Sequence, residues 1–221
     1  MFTPAEPALE RGWVGRIEGD RVIHLAAQTL ESFFTGGGTA REHAIYPLDG
    51  VRLLAPVLRP PAVRVFEDET TFAFANPEAI VGPDAEIAAR GGTVTLLSRI
   101  AAVIGAGEEL AGFTVFADWR RNDVGPPKDR DFALGLGPVV VTPDEIHDGL
   151  AMVVRVDGKE RLHSRETFDW DAARAVAADG TALRPGDLLA GPAPGTVDAI
   201  ESGSRVELQV DAIGTLRQTV S

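Results

Sequence analysis

Chain punctuation constrains this protein most. Glycine and proline, 24 and 15 of 221 residues, recur so often that most apolar runs last only four to eight residues. "TFAFANPEAIVGP", "RIAAVIG", "FTVFA", "GPVVVTPDEI", "LAMVVRVDGKE", "DLLAGPAPG", "RVELQVDAIG" and "TLRQTV" follow one another with turn signals between them. Runs of that length are too short for ordinary helices and long enough for strands, so the pattern predicts a mainly β (α+β) fold with a barrel-like or sandwich-like core. "WVGRIEGDRVIHL" alternates around Gly19-Asp20, which predicts a hairpin. Two segments carry helix signals. In "TLESFFTGGG", Thr29 can cap a short helix that the glycines end. In "DWDAARAVAADG", Trp170, Ala173 and Ala177 share one face and Gly180 is the stop. The Pro-stiffened "VRLLAPVLRPP" divides a small N-terminal α+β subdomain, residues 1–60, from a larger domain, 61–221.

Charge and composition remove several functions. A net charge of -12 argues against nucleic acid as a partner, because phosphate recognition asks for a basic face. No apolar run approaches the roughly 20 residues that span a bilayer, and "MFTPAEPALERG" lacks a basic-then-apolar signal layout. A cytoplasmic protein with no membrane partner is the expectation. The absence of cysteine excludes disulfides and thiolate chemistry.

One stretch asks a sharper question. In "GFTVFADWRRND" an apolar run, Phe113 to Ala117, ends abruptly on two acids and two arginines between Asp118 and Asp123. Two readings stand: a solvated turn with surface ion pairs, or a site built where a rigid strand delivers its loop.

"GFTVFADW" followed by "PPKDRDFALGLGPVVVTPDEI", then "LRPGDLLAGPAPG" and "VDAIGTLRQTV", resembles the fumarylacetoacetate hydrolase family. The resemblance extends over nearly the whole chain, with "TLESFFTGGG…YPLDGVRLLAPVLRPPAVRVF" similar to the family's N-terminal segment. It implies a mixed β-roll, a homodimer, and a divalent ion (Mg²⁺ or Mn²⁺) at the mouth of the fold. It also implies a substrate that is a small keto or β-diketo acid, cleaved, decarboxylated, hydrated or isomerised. In such chemistry an oxygen-loving cation chelates the keto-acid oxygens and stabilises the enolate. The resemblance implies an acid-x-acid pair on one strand as ligands, an aspartate on the next, a lysine nearby, and a histidine on an earlier loop supporting the attacking water.

Laid on that pattern, Asp118 matches the metal aspartate, Lys128 the lysine and Asp131 an aspartate after it, whereas Leu97 and Arg99 stand where the two acids belong. None of His24, His43, His147 and His163 matches the histidine, and Glu67, Asp68 and Glu69 are the ionisable groups left where its loop would be. A cation in place of an anionic ligand changes the local energy by on the order of 10 kcal/mol even at an effective dielectric of ~20, so no cofactor is expected. Mg²⁺ or Mn²⁺ would be expected only if these ligand positions were wrong. Arg99, Asp118, Lys128, Asp131 and Glu67 are the catalytic candidates; Arg99, Trp119, Lys128, Gly191 and Pro192 are the substrate-binding candidates. Arg99 could bind a substrate carboxylate or only bridge Asp118. Three functions follow: a metal-independent enzyme acting on a small or natural-product keto compound (isomerisation, cyclisation, decarboxylation or C–C cleavage); a non-catalytic relative or dimer-partner subunit; and a Mg²⁺-dependent acylpyruvate-type hydrolase.

Overall fold

The computed structural model describes residues 1–9, 11–146, 150–165 and 167–221. His147 lies outside the described residues. The N-terminal part contains β1 (Phe2–Pro4), β2 (Gly15–Glu18), β3 (Arg21–Leu25), helix α1 (Leu30–Thr35), β4 (Glu42–Pro47) and β5 (Val51–Leu53). There follow β6 (Val63–Phe66), β7 (Phe72–Ala75), β8 (Ile80–Val81), β9 (Glu86–Ile87), β10 (Val94–Ile104), β11 (Leu110–Arg121) and β12 (Leu134–Val141). The remainder holds β13 (Ala151–Val156), β14 (Lys159–Arg165), helix α2 (Trp170–Ala178), β15 (Leu188–Ala190), β16 (Thr196–Ile200), β17 (Arg205–Val210) and β18 (Gly214–Val220). The fold is mainly β, with few helices.

The local signals act as their chemistry dictates. Gly19-Asp20 turns β2 into β3 in antiparallel register, with Glu18 opposite Arg21. The Thr29 hydroxyl accepts from the Ser32 amide while the Ser32 hydroxyl accepts from the Thr29 amide, a reciprocal cap that satisfies two otherwise orphaned donors. Asp169 caps α2 by accepting from the Ala172 amide, and Ala173 and Ala177 are buried on its inner face. Gly180 takes the positive φ (+69°) just beyond the helix end.

The main sheet runs β7-β6-β15-β10-β11-β12-β8, with β16 also pairing with β10. A second runs β14-β13-β17-β18-β9. The large core lies between them, joining Leu96, Ile100, Val115 and Trp119 of the main sheet to Met152, Val154, Leu208 and Leu216 of the second. The opposite face of the main sheet forms another core around Ala101, Val103, Phe116, Leu134, Leu136 and Leu188, covered by Ala55 and Val57 and by Leu30 and Phe34 of α1. Alternation along a strand sends neighbours into different cores. Phe116 and Asp118 face one side; Ala117 and Trp119 face the other.

One boundary differs from expectation. The strand does not end before Asp118: β11 continues to Arg121, with Asp118 opposite Leu97 and Arg121 opposite Val94 on β10. The backbone groups of Val94–Leu97 need partners, and the charged segment supplies them. Asp118 is therefore a mid-strand residue rather than a loop residue.

Candidate functional site

Asp118 and Arg99 belong to adjacent strands and both are 0% exposed. Because Leu97 sits directly across from Asp118, Arg99 is its diagonal neighbour on the same face, within reach of a long side chain. The Arg99 Nε donates to Asp118 Oδ2 at 3.2 Å, and its Nη1 donates to the carbonyls of Phe66 at 2.8 Å and Gly191 at 2.9 Å. Its Nη2 is different. It lies 3.6 Å from Glu67 Oε1, too far for a hydrogen bond, and has no acceptor. Burial pushes the Arg99 guanidinium below its ordinary pKa, with the carboxylates of Asp118 and Glu67 opposing that shift.

Arg120 shares the Asp118 face because it is two residues farther along the strand. Its Nε donates to Asp118 Oδ1 and its Nη2 to Oδ2, both at 3.0 Å, while Nη1 donates to Asp129 Oδ2 at 3.1 Å. Burial lowers the Arg120 pKa, but its bonds to Asp118 and Asp129 outweigh burial and raise it overall. The tight turn Lys128–Arg130 brings in a third guanidinium, with Arg130 Nη2 3.6 Å from Asp118 Oδ2. Arg130 Nε and Nη2 and Asp129 Oδ1 are buried without a hydrogen-bond partner. One aspartate is thus ringed by three arginines.

The expected site residues divide. Arg99, Asp118, Glu67 and the Gly191 carbonyl converge, and Pro192 follows Gly191, half-buried. Lys128, 70% exposed, is paired with Asp131, which also accepts from Asn76 at 2.8 Å. That pairing holds the Asp131 carboxyl below its usual range, first through Lys128 and then through Asn76. Trp119 points away from Asp118 into the large core, where its indole N–H donates to Gln218 Oε1 at 2.8 Å. The structure therefore places it as a core residue, not as a wall of the cluster. Arg121 turns outward to Asp123, a surface pair of the kind expected for a solvated turn. Arg120, Asp129 and Arg130 were not among the candidates; the i, i+2 spacing of Asp118 and Arg120 on a continued strand was the signal for the first of them. β6 and β7 are joined by residues 67–71 alone, a hairpin without a histidine. Two open grooves, of about 290 and 280 Å³, lie elsewhere, around Arg52, Pro83 and Asp84.

The sequence profile described as "Fumarylacetoacetate (FAA) hydrolase C-terminal" matches residues 51–221. The chain belongs to the fumarylacetoacetate hydrolase family. It is similar to Protein Rv2993c of Mycobacterium tuberculosis, 28% identical over an alignment that covers 79% of this chain and 80% of that protein. Its fold is that of 2-hydroxyhepta-2,4-diene-1,7-dioate isomerase from Mycobacterium marinum (24% identity, TM-score 0.77, 94% of this chain and 92% of that one). It is likewise that of maleylpyruvate hydrolase from Sphingobium sp. SYK-6 (22% identity, TM-score 0.80, 96% of each). A structure of the latter enzyme holds manganese(II) and pyruvate.

The surroundings of Asp118 in this chain are cationic and apolar. The Asp118 carboxylate already accepts three N–H bonds from two guanidiniums and lies near a third. An apolar Leu97 stands across from it. Among the described residues, no group of three or more His, Cys, Asp or Glu side chains is placed to hold a metal. Also among them, no helix is long and apolar enough to cross a membrane.

Proposed function

We propose that this chain is a metal-independent enzyme of the fumarylacetoacetate hydrolase family, acting on a small or natural-product keto acid and working as a cytoplasmic homodimer. The observation that carries the reading is the buried Arg99 guanidinium, seated beside Asp118 with one nitrogen still lacking an acceptor. A fixed guanidinium in a site closed to water can stabilise a developing enolate, the charge that a divalent ion would otherwise meet.

Among the reactions open to such a site, isomerisation fits best. Hydrolysis needs an activated water, and the hairpin 67–71 offers no histidine to support one. A proton shift along a conjugated keto acid needs no second reactant. The carboxylate of Glu67, 59% exposed at the rim of the cluster, takes the proton of the 2-hydroxyl of a 2-hydroxy-2,4-dienedioate. The dienolate oxygen that results faces Arg99, and the same proton returns to carbon at the far end of the conjugated system, C5, as the 2-oxygen becomes a carbonyl. Atoms and charge balance without a cofactor. The isomerase from Mycobacterium marinum supports this choice of reaction class.

The test is to incubate metal-stripped protein with a 2-hydroxy-2,4-dienedioate in EDTA and follow its ultraviolet absorbance. Turnover should persist in EDTA and fall by about 10²-fold or more in Glu67→Gln. Turnover that appears only with Mg²⁺ or Mn²⁺ overturns the reading in favour of an acylpyruvate-type hydrolase.

A second reading, a non-catalytic partner subunit, draws on the complete burial of Arg99 and Asp118. It predicts no turnover on any keto acid and a heterodimer with a catalytically complete relative, seen by light scattering of the co-expressed pair.

A further inference from the structure

We infer that β7 is a self-pairing edge: β7 of a second copy of this chain joins it antiparallel, fusing the two main sheets across a two-fold axis. This rests on the homodimer reading, to which it gives a contact, and not on the chemistry proposed for the charged cluster. β7 (Phe72–Ala75) ends the main sheet, and among the described residues β6 is its one strand partner. Ala73 and Phe74 point to opposite faces and both are exposed, Phe74 by 67%.

The direction of the free backbone groups follows from the ladder. The Glu67 amide donates to the Thr71 carbonyl at 3.1 Å, and the same register sets Val65 against Ala73 and Val63 against Ala75. Antiparallel bonds fall on alternate pairs, so Ala73 and Ala75 bond inward to β6 while Phe72 and Phe74 turn their N–H and C=O groups outward. Edge strands ordinarily block further pairing with a charge, a proline or a bulge. The Phe-Ala-Phe-Ala of β7 has no charge and no proline, and its register with β6 runs without a bulge.

This edge is also stiffened from within. Arg64, 5% exposed, donates to Asp187 Oδ2 at 3.0 Å and holds its guanidinium 5.5 Å from the centre of the Phe74 ring and 5.9 Å from that of Phe72. The two rings meet edge to face at 5.5 Å. An exposed aromatic already fixed in place surrenders little freedom on contact.

Self-complementarity identifies the occupant. A two-fold axis at Ala73 sets Phe72 of each copy opposite Phe74 of the other, so each such pair exchanges both backbone bonds and lays two rings side by side. Between them alanine meets alanine, at the pair of closest approach, where a small side chain fits. Two chains of net charge -12 repel one another elsewhere, and an uncharged edge is where they can touch. A four-residue edge buries less than the ~1,200 Å² of a standard interface, so the dimer is weak and reversible.

The experiment is sedimentation velocity of the full chain from about 5 to 500 µM, with amide exchange of ¹⁵N-phenylalanine-labelled protein at both ends of that range. The dimer fraction should rise with concentration, and rise again between ~20 and ~300 mM salt as repulsion is screened. The Phe72 and Phe74 amides should exchange about tenfold more slowly in the concentrated sample. Phe74→Lys should stay monomeric throughout. Phe74→Pro should too, because it removes an outward N–H and no bond to β6. Circular dichroism confirms that both variants are folded, and the exchange arm reads the wild type alone. A wild type that is monomeric at every concentration overturns the inference together with the homodimer reading. A dimer that persists in both variants, or whose Phe72 and Phe74 amides exchange equally at both concentrations, overturns the inference alone.

Discussion

Replacing Asp118 by asparagine separates a charge cluster from a metal site. The amide keeps the size of the side chain and deletes its charge, so the effect reports electrostatics rather than packing. In the wild type, the carboxylate accepts from Arg99 at 3.2 Å and twice from Arg120 at 3.0 Å, with no exposure to water. Removing one member of a buried ion pair costs about 3–5 kcal/mol, because the other charge is left without compensation. Arg120 keeps Asp129 and Arg99 keeps two carbonyls, which places this case toward ~3 kcal/mol. For a chain of this size that is a fall in Tm of about 6–20 °C across the full range. Urea and thermal unfolding, read by the fluorescence of the neighbouring buried Trp119, measure it. A parallel titration removes ambiguity: an ion bound with a micromolar Kd would stabilise the protein by about 4 kcal/mol at ~1 mM Mn²⁺, and none is expected. If Asp118→Asn costs under ~1 kcal/mol while Mn²⁺ stabilises the wild type by ~4 kcal/mol, the aspartate is a metal ligand and the charge-cluster reasoning is refuted.

Three further outcomes are expected. Trp119→Phe loses the bond to Gln218 and opens a small cavity in the large core, costing about 2–4 kcal/mol in urea unfolding. Thr29→Ala removes the reciprocal cap of α1 and should cost about 1 kcal/mol, visible as an earlier unfolding midpoint. His24 stacks between Trp13, 4.7 Å away, and His43, 5.2 Å away, and burial and then the charge of His43 push its pKa down. The unfolded chain takes up that proton near pH ~6.5 and the folded one only at lower pH. The contribution is therefore complete above about pH 6.5 and lost as pH falls through the depressed folded value. Tm measured from about pH 5.5 to 7.5 should climb, less so in His24→Gln; an equal slope in both proteins rules the histidine out.

Much of this architecture was readable wherever it depends on neighbours in the chain. Turn chemistry located the β2–β3 hairpin, Thr29 announced its helix, and the spacing of Ala173 and Ala177 gave the inner face of α2. The closeness of Arg99 to Asp118 was implied by the resemblance to the family, whose pattern puts both at one site. What escaped has two causes. Arg120 was missed because the charges after Ala117 were read as the end of the strand, although backbone pairing with Val94–Leu97 carries the strand through them. Arg130 and Asp129 arrive from a turn after the intervening loop, and no local periodicity encodes where such a turn docks. Trp119 counted as a substrate-binding candidate for want of a strand boundary; with Asp118 inside the strand, its neighbour must face the other way.

Arg99 also bears on the order in which the chain assembles. Its guanidinium reaches the end of β6 at Phe66, β11 at Asp118 and the segment just past β15 at Gly191, so segments far apart in synthesis must all arrive before it is satisfied. A half-made molecule lacking the last of these would enclose a cation with a carbonyl missing, and compact premature states are penalised accordingly. The arginine is thus fully satisfied only when the sheet's distant members are in place together.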